Sequence, residues 1–328
     1  MTTPTRAGIT GLGAYAPERV LTNADLEAMM DTSDEWIVSR TGIRTRHLAA
    51  AGEFTSHMAI RSVEDLVARH GEGILDGIEL VIVATNTPDA LFPATAALVQ
   101  DHFKLRAGAF DLLAACPGWL YALSVARAYV ESGSAKKVLA IGAEALSKIV
   151  DWDDRATAVL FGDGAGAAVV EAVPEGFGFR SFVLGTDGSG GHFLHKRSVA
   201  QCLPNGTPLS DTLYMNGREV FKFAVRVMDT ATLEAVTQAG LTPDDVDLFV
   251  PHQANLRIIE AARERLGLPP ERVIVTVDRY GNNSTASIPL ALKVGLDEGR
   301  IKDGDHLLLV AFGAGLTWAA TVLTWGGA

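Results

Sequence analysis

A cysteine followed by a proline lies at the point where an apolar strand gives way to an amphipathic helix. Residues 110–114 are apolar apart from one aspartate, which is typical of a short buried strand. From Gly118 to about Ser132, apolar residues recur on one helical face. Pro117 suits the first position of that helix, because its missing N–H and fixed φ cost nothing there. The sequence therefore predicts that Cys116 occupies a junction between a strand and a helix.

This position of Cys116 predicts a reactive thiol. The N-terminus of a helix carries partial positive charge, which favours a thiolate and lowers a cysteine pKa from ~8.5 toward the ~3.5–7.5 range. The alternative is a buried free cysteine that packs as a small apolar side chain. The succession of strand, Cys116, Pro117 and helix favours the nucleophile, so we expect Cys116 to be catalytic.

Composition restricts the protein to a few classes. Apolar residues make up 48% of the 328-residue chain, which indicates a well-buried globular enzyme with room for two cores. The two cysteines, Cys116 and Cys202, are too few for a disulfide framework, and Cys202 is given no role. A net charge of −11 argues against nonspecific binding to nucleic acid, which needs a basic face. We therefore expect an enzyme of the reducing cytoplasm that does not bind nucleic acid.

Neither apolar terminal segment predicts a signal peptide or a membrane span. The stretch 8–16 is short and has no convincing cleavage site after it. Residues 307–328 contain no charged side chain and must be considered as a span. Gly313, Gly315 and three threonines interrupt this segment. The pattern favours two core strands joined by a glycine turn.

Strands and helices alternate along the chain. Residues 80–84 are a continuous apolar run, as in a strand that is covered on both faces. Similar patterns predict further strands over 8–15, 137–142 and 164–170, and helices over 56–70, 95–103 and 256–266. This alternation predicts an α/β architecture.

A helix signal and a basic run lie together near the N-terminus. Residues 32–35 have the spacing of a capping box, and the helix that they open is expected to end at Gly42. Trp36 and Arg40 then lie on the same face of this helix. The basic run that follows contains Arg44, Arg46 and His47. A solvated surface is the usual explanation of such a run, although in an acidic protein it would also attract an anionic ligand.

The second half of the chain repeats the pattern of the first. Residues 247–255 correspond to 79–87, 272–292 to the Cys116 segment, 306–315 to 137–145, and 317–324 to 164–170. Residue identity between the copies is low, and coincidence in a chain rich in strands and helices is the alternative. A duplication predicts two halves, 1–173 and 174–328, whose equivalent strand ends meet at their interface.

Three reactive side chains are expected at such strand ends: Cys116 in the first half, and His252 and Asn282 in the second. Taken alone, His252 could be a structural histidine and Asn282 a helix cap. Together, the three residue types serve two chemistries. In a papain-like hydrolase, Asn orients a His base that activates the thiol. In a carbon–carbon condensation, Cys carries an acyl group while His and Asn donate hydrogen bonds to a developing enolate, which an Asp would repel.

The sequence resembles the ketoacyl-ACP synthase III family of the thiolase superfamily along nearly its whole length. The matching segments are 32–44 (TSDEWIVSRTGIR), the Cys116 segment, 161–166 (FGDGAG), 251–259 (PHQANLRII), 278–284 (DRYGNNS) and 312–318 (FGAGLTW). The resemblance implies a thiolase-like, duplicated five-layered α-β-α-β-α fold and a homodimer. It also implies an acyltransferase that starts fatty acid synthesis by condensing an acyl-CoA primer, with acetyl-CoA expected, with malonyl-ACP. Acyl-CoA would be a substrate, and neither a cofactor nor a metal is implied.

The resemblance also assigns roles to residues. The family's catalytic Cys, His and Asn match Cys116, His252 and Asn282, and backbone N–H groups of Cys116 and Ala314 would form the oxyanion hole. The coenzyme A contacts match Trp36, Arg40, Arg155 and Asn255. The contacts to the acyl carrier protein match Gln253, Ala254, Asn255, Leu256 and Arg257.

A second basic group supports the contact to the carrier protein. It contains Arg218, Lys222, Arg226 and Arg257. Because the carrier protein and this chain are both acidic, a local basic patch is needed for their encounter, and we assign Lys222 and Arg257 to it.

Other functions remain open at this stage. Pro117 replaces the small residue expected after the nucleophile, which leaves the length and branching of the primer open. Within the fold, a condensing enzyme of a polyketide or specialised pathway is the nearest alternative. A cysteine-dependent thioester hydrolase is a more distant one. Cys116 argues against a non-catalytic partner subunit, which would lack the nucleophile.

Overall fold

A computed structural model of the chain describes residues 6–327. Its strands are β1 (Arg6–Tyr15), β2 (Arg19–Thr22), β3 (Thr45–Leu48), β4 (Leu80–Ala84), β5 (Gly108–Leu112), β6 (Lys137–Glu144), β7 (Gly164–Val173), β8 (Gly178–Phe179), β9 (Val183–Thr186), β10 (Leu194–His195), β11 (Tyr214–Met215), β12 (Leu248–Pro251), β13 (His306–Gly313) and β14 (Thr317–Thr324). Its α-helices are α1 (Asn23–Glu27), α2 (Asp34–Thr41), α3 (Thr55–His70), α4 (Thr95–His102), α5 (Gly118–Glu131), α6 (Arg155–Ala158), α7 (Gly217–Gln238), α8 (Leu256–Leu266), α9 (Val277–Tyr280) and α10 (Ser287–Asp297).

Two large sheets share one pairing pattern. In the first sheet the strand order is β1-β7-β6-β4-β5, with β4 parallel to β5 and β6, and β7 antiparallel to β6 and β1. In the second sheet β12 is parallel to β13, β14 is antiparallel to β13, and β8 and β9 both pair with β14. The strands β4, β6 and β7 therefore have counterparts in β12, β13 and β14.

The correspondence of residues 272–292 with the Cys116 segment predicts a strand that begins at Arg272, but this strand is not formed. Only a single parallel bridge, between Phe249 and Val273, remains where β5 would have its counterpart. Side chains bind the backbone groups that a neighbouring strand would need. The Arg300 guanidinium donates to the carbonyls of Glu271 and Val273, and the Gln253 amide oxygen accepts from two N–H groups that follow.

Side chains alternate between the faces of both sheets and define five layers. Along β4, Leu80 and Ile82 pack into a central cluster with α5, α10 and the second sheet, whereas Val81 and Val83 pack outward against α3 and α4. The other face of the second sheet packs against α7 and α8. The layers are therefore helices, sheet, helices, sheet and helices, as expected from the sequence.

The uncharged C-terminal segment forms two core strands, as predicted. Strands β13 and β14 pair over their whole length and are joined by the turn that contains Gly315. Among residues 6–327, no helix has the length and apolar character needed to cross a membrane.

Several other elements differ slightly from the predictions. The helix near residue 32 is capped by Ser33, whose hydroxyl accepts from the N–H of Trp36, and it ends at Gly42 as predicted. β5 begins and ends two residues before the predicted strand, so three residues, 113–115, lie between its last residue and Cys116. Pro117 occupies the N-cap of α5 rather than its first helical position.

Candidate active site

Cys116 lies on a strained turn between β5 and α5. Ala115 adopts a left-handed conformation with φ 52°, which is unfavourable for a residue with a Cβ. Its carbonyl accepts a 2.8 Å hydrogen bond from the N–H of Gly118, so the turn is closed just before the helix. This backbone places Cys116 at the N-terminus of α5 and leaves part of the residue accessible.

The predicted low pKa of Cys116 is wrong for this structure. Burial raises the pKa of the Cys116 thiol to about 12, and the carboxylate of Glu144 raises it further. A hydrogen bond with the Ser284 hydroxyl acts in the opposite direction. Burial is the largest of these effects, and it favours the neutral thiol.

His252 is held as a neutral hydrogen-bond donor. It follows β12 and is 1% exposed, and burial lowers its pKa to about 3. Its Nδ1 lies 2.6 Å from the Ser287 hydroxyl, which also accepts from the N–H of Gln253 at 3.4 Å. Because the hydroxyl has one proton to give, we assign that proton to Nδ1 and the ring proton to Nε2. The ring packs edge-on against Phe312, with centroids 5.5 Å apart.

The sequence predicted that Asn282 ends a strand. In the structure it instead follows helix α9 and Gly281. Its backbone bonds to the opposite loop, donating to Leu160 at 2.9 Å and accepting from Gly162 at 3.0 Å. Its side-chain oxygen accepts from the N–H of Ser284 at 2.9 Å. The amide is therefore oriented so that its NH₂ group points away from this bond and is available to a ligand.

The segment 282–287 connects the three predicted catalytic residues. Ser284 bonds to Asn282 through its backbone and acts on the Cys116 thiol through its hydroxyl. Ser287 bonds to the His252 ring. A thiol, a neutral imidazole and an amide thus surround one segment.

The turn between β13 and β14 closes against Cys116. A Cβ on Gly313 would lie 2.7 Å from the backbone nitrogen of Cys116, so only glycine fits there. The Thr317 hydroxyl lies 2.7 Å from the carbonyl oxygen of Ala314 and 3.1 Å from that of Ala114, which ties the two loops together. Within residues 6–327, the N–H groups of Cys116 and Ala314 donate no hydrogen bond. Both are therefore available to an oxyanion.

The sequence reasoning missed Glu144. This residue ends β6 with 0% of its surface exposed, and burial raises its pKa to about 7. It accepts hydrogen bonds from Asn86, Thr87 and Thr285. An acidic residue that directly follows the apolar run 138–143 was the signal available in the sequence.

The four residues predicted to contact coenzyme A form two pairs, Trp36 with Arg155 and Arg40 with Asn255. The guanidinium of Arg155 lies 5.0 Å from the ring centroid of Trp36, and it also donates to the carbonyl of Asp31 at 2.7 Å. The Asn255 amide donates to the backbone carbonyl of Arg40 at 3.0 Å. Both arginine side chains are exposed.

Lys222 and Arg257 are exposed on neighbouring helices, α7 and α8. The Arg257 guanidinium lies 5.6 Å from the ring centroid of Phe221, next to Lys222. Lys222 pairs with Glu219 at 2.7 Å. Ala254, Asn255 and Leu256 lie at the start of α8 and are partly exposed.

Two residues assigned to the surface are buried instead. Gln253 is 1% exposed, and its amide makes four hydrogen bonds to backbone groups, so it cannot contact a carrier protein. Arg46 is 0% exposed and donates to carbonyls of Leu21 and Val159 and to Asn23. The exposed arginines at and beside the basic run are therefore Arg40 and Arg44.

Residues 6–327 contain no group of three or more His, Cys, Asp or Glu side chains arranged to hold a metal ion. The groups that the site presents to a ligand are a thiol, neutral side-chain donors and backbone N–H groups.

Comparisons with known proteins show which family the chain is similar to. The family model described as 3-oxoacyl-[acyl-carrier-protein (ACP)] synthase III matches residues 110–188, and the model of the C-terminal part of that family matches residues 236–325. The beta-ketoacyl-[acyl-carrier-protein] synthase III of Deinococcus deserti is 57% identical over 98% of this chain and 92% of its own length.

Solved structures extend the similarity to the whole fold. The structure of the synthase III from Thermus thermophilus has 72% identity and a TM-score of 0.97, with 98% of this chain and 100% of that chain covered. The 3-oxoacyl-[acyl-carrier-protein] synthase III from Aquifex aeolicus has 45% identity and a TM-score of 0.90, with 97% and 100% covered.

Proposed function

Because the chain belongs to the 3-oxoacyl-[acyl-carrier-protein] synthase III family, we propose that its site loads an acyl group from acyl-CoA onto Cys116 and condenses it with malonyl-ACP. The protein is an acyltransferase of thiolase-like α/β fold that performs the initiating condensation of fatty acid synthesis. The products of the proposed reaction are 3-oxoacyl-ACP, carbon dioxide and coenzyme A.

The observation that carries this proposal is the neutral, fixed orientation of His252 and Asn282. Decarboxylation of the malonyl group places negative charge on its thioester oxygen. The Nε2–H of His252 and the NH₂ of Asn282 can donate to such an oxygen. The other ring nitrogen of His252, Nδ1, is hydrogen-bonded to the Ser287 hydroxyl, and the side-chain oxygen of Asn282 accepts from the N–H of Ser284. Preorganised donors of this kind each contribute ~10²–10³ in rate. A base role for His252 is disfavoured by its low pKa.

Loading uses the other end of the site. The Cys116 sulfur attacks the thioester carbon, and the oxygen of the resulting tetrahedral intermediate accepts from the N–H groups of Cys116 and Ala314. Thr317 supports this role, because its hydroxyl binds the carbonyl oxygens of Ala114 and Ala314 and so holds together the two loops that carry the donors. The same oxyanion site then serves the second tetrahedral intermediate, which forms when the carbanion attacks the acyl group.

Coenzyme A is proposed to enter past Trp36. The indole and the Arg155 guanidinium stack and offer a surface to a flat ring, while the exposed guanidinium of Arg40 suits a phosphate. Asn255 fixes the backbone beneath Arg40.

The acyl carrier protein is proposed to dock on α7 and the start of α8. Lys222 and Arg257 supply positive charge on a chain of net charge −11, and Ala254, Asn255 and Leu256 surround them with partly exposed surface. Gln253 is excluded from this surface by its burial.

A homodimer is also proposed. Strand β5 is at an edge of its sheet, and large apolar side chains are exposed on the loops after β4 and β5, namely Leu91 (71%), Phe92 (85%) and Leu113 (76%).

We assign the halves to 1–173 and 174–328, since β7 ends at Val173 and the next strand joins the second sheet. We also propose that the enzyme acts in the cytoplasm, where its two free cysteines would stay reduced.

The two half-reactions can be separated by substitution. His252→Ala and Asn282→Ala are expected to take up an acyl group on Cys116, while carbon dioxide release from malonyl-ACP falls by ~10²–10³. Cys116→Ala is expected to load nothing and still decarboxylate. Single-turnover loading followed by mass spectrometry, beside carbon dioxide release, measures both steps, and a panel of acyl-CoAs identifies the primer.

The result for His252→Ala also distinguishes the alternatives. A thioester hydrolase with His252 as base would lose loading in this variant and release free acid from acyl-CoA in the wild type. An acyl group mapped to Cys202 would remove Cys116 as the nucleophile. Equal use of malonyl-CoA and malonyl-ACP would favour a specialised condensing enzyme.

A further inference from the structure

The side-chain amide of Gln253 is buried next to His252, and the steps above do not use it. It is 1% exposed, although it stands in the segment expected to contact the carrier protein. Its Nε2 donates to the carbonyls of Pro251 at 2.7 Å and Ile274 at 3.1 Å. Its Oε1 accepts from the N–H groups at 276 and 277, at 2.7 and 3.1 Å. A side-chain amide has two donor hydrogens and two acceptor lone pairs, so its bonding capacity is fully used.

The Gln253 amide stands where strand pairing beside β12 stops. In the described chain this pairing extends to Ile274, whose N–H donates to the carbonyl of Phe249 at 3.0 Å. Helix α9 then begins at Val277, and the side chain of Thr276 does not cap it. The first N–H groups of a helix have no partner within the helix, and here the Gln253 oxygen accepts from them. The residue after His252 therefore fixes where α9 begins.

Asn282 lies between two points at which the chain is tied to residues 252 and 253. The first point is the start of α9 at Val277, which is bound by the Gln253 side chain. The second is the Ser287 hydroxyl, which lies 2.6 Å from Nδ1 of His252 and accepts from the N–H of Gln253 at 3.4 Å. The position of Asn282 relative to His252 therefore depends on the Gln253 amide as well as on Ser287.

Other contacts hold α9 against the first half of the chain. The Thr45 hydroxyl donates to the carbonyl of Arg279 at 2.7 Å, and the His47 ring stacks on Tyr280 with centroids 5.1 Å apart. These contacts come from β3 and involve neither residue 252 nor residue 253. We therefore expect loss of the Gln253 amide to move α9 relative to the imidazole while β3 keeps the helix folded.

We propose that Gln253 is a positioning residue for condensation, whose amide sets the separation of His252 and Asn282 so that both donate to one thioester oxygen. This role rests on the proposed function. Decarboxylation needs both donors at once, because its negative charge develops on a single oxygen. Loading needs neither donor and uses the backbone N–H groups of Cys116 and Ala314. Gln253 therefore supports one half-reaction and not the other.

The decisive variant is Gln253→Met, which keeps the length of the side chain and removes its four hydrogen bonds. The kcat for carbon dioxide release from malonyl-ACP is expected to fall by ~10², a cost that a misplacement of about 1 Å can produce. The KM for malonyl-ACP should stay near its wild-type value, because Lys222 and Arg257 of the proposed docking surface are unchanged. Single-turnover loading of Cys116 from acyl-CoA should also stay near the wild-type rate.

Two further variants separate alignment from general damage. Gln253→Asn keeps the amide but is one methylene shorter, so it cannot bond on both sides at once and should show the same selective loss. Once one donor is removed, there is no pair left to align. Gln253→Met combined with Asn282→Ala should therefore release carbon dioxide no more slowly than Asn282→Ala alone. The matched control is Gln100→Met, which removes an amide bound to the carbonyl of Leu105 and should leave both half-reactions unchanged.

Three results would overturn the proposal. Wild-type carbon dioxide release in both Gln253 variants would show that the amide positions nothing. Equal losses of loading and of carbon dioxide release would make Gln253 a residue of general stability, and a raised KM with unchanged kcat would make it a docking residue. If Gln253→Met does not fold, Gln253→Asn decides alone. A wild-type enzyme that releases no carbon dioxide from malonyl-ACP would instead overturn the proposed function.

Discussion

The two halves of the molecule share a strand pattern but hold their functional groups by different means. In the first half, β5 completes the sheet, and the strained backbone at Ala115 presents the nucleophile. In the second half, the counterpart of β5 is reduced to one bridge. The chain released there becomes α9 and the segment 282–287, whose serines orient the two donors. The two halves therefore share a strand frame, and the second half has, in place of a fifth paired strand, the segment that orients the two proposed donors.

This comparison predicts that the Cys116 end of the site is sensitive to backbone space, including the space left by Gly313 of the second half. Gly313→Ala would place a Cβ 2.7 Å from the Cys116 nitrogen and force the oxyanion loop away. Loading is expected to fall by ~10²–10³, as for loss of an oxyanion-hole donor. Burst amplitude and rate with acyl-CoA measure this effect. Gly52→Ala is the control, since nothing lies within 4 Å of a Cβ there. Unchanged loading in Gly313→Ala would remove Ala314 from the oxyanion hole.

The second half should instead respond to loss of single side chains. Ser287→Ala removes the partner of His252 Nδ1 and releases the tautomer that keeps a proton on Nε2. Decarboxylation is expected to fall on the order of tenfold, less than the ~10²–10³ for removing a donor itself. Loading should be unaffected, and a variant that loses both rates equally would contradict the division of roles.

The pH dependence of decarboxylation tests whether His252 stays neutral in the working enzyme. Because burial lowers the pKa of His252 to about 3, lowering the pH from 8 to 5 should not protonate it. Wild-type decarboxylation should therefore show no limb near pH 6.5, the usual pKa of histidine. An acid limb there, lost in His252→Ala, would show that the imidazole titrates in the working enzyme.

The smallest effect is expected outside the catalytic centre. Arg257→Glu reverses a charge on the proposed docking surface and should raise the apparent KM for malonyl-ACP several-fold, mostly at low salt. Acyl-CoA loading should stay nearly intact. Arg61→Glu, on α3 in the opposite outer layer, makes the same change in net charge and should leave the KM unchanged. Equal effects of the two variants would indicate general repulsion rather than docking.

The sequence predicts the layered α/β fold well because burial on both faces gives continuous apolar runs. Strand β4 and helix α8 have the predicted bounds, and the uncharged C-terminal segment folds as two strands. The strand expected at Arg272 fails for a reason that local pattern does not contain. Its backbone groups are taken by Gln253 and Arg300, which approach only after the chain has folded.

The site was predictable in its residue types but not in its electrostatics. Cys116, His252 and Asn282 stand in recognisable motifs, whereas the thiol pKa depends on desolvation and on Glu144, 28 residues away in sequence. Gln253 was misplaced for a similar reason. It lies within a docking motif, and only the folded chain reveals that its amide is used inside.

The Thr317 hydrogen bonds have a consequence for the order of events during synthesis of the chain. Ala114 and Thr317 are separated by 203 positions, so the ribosome delivers the nucleophile long before the loop that completes its oxyanion hole. Until that loop arrives, Cys116 has neither the Ala314 donor nor the fixed geometry that attack on a thioester needs. The nucleophile and the Ala314 N–H are therefore brought together only when β13 and β14 pair and the loop between them closes against Cys116.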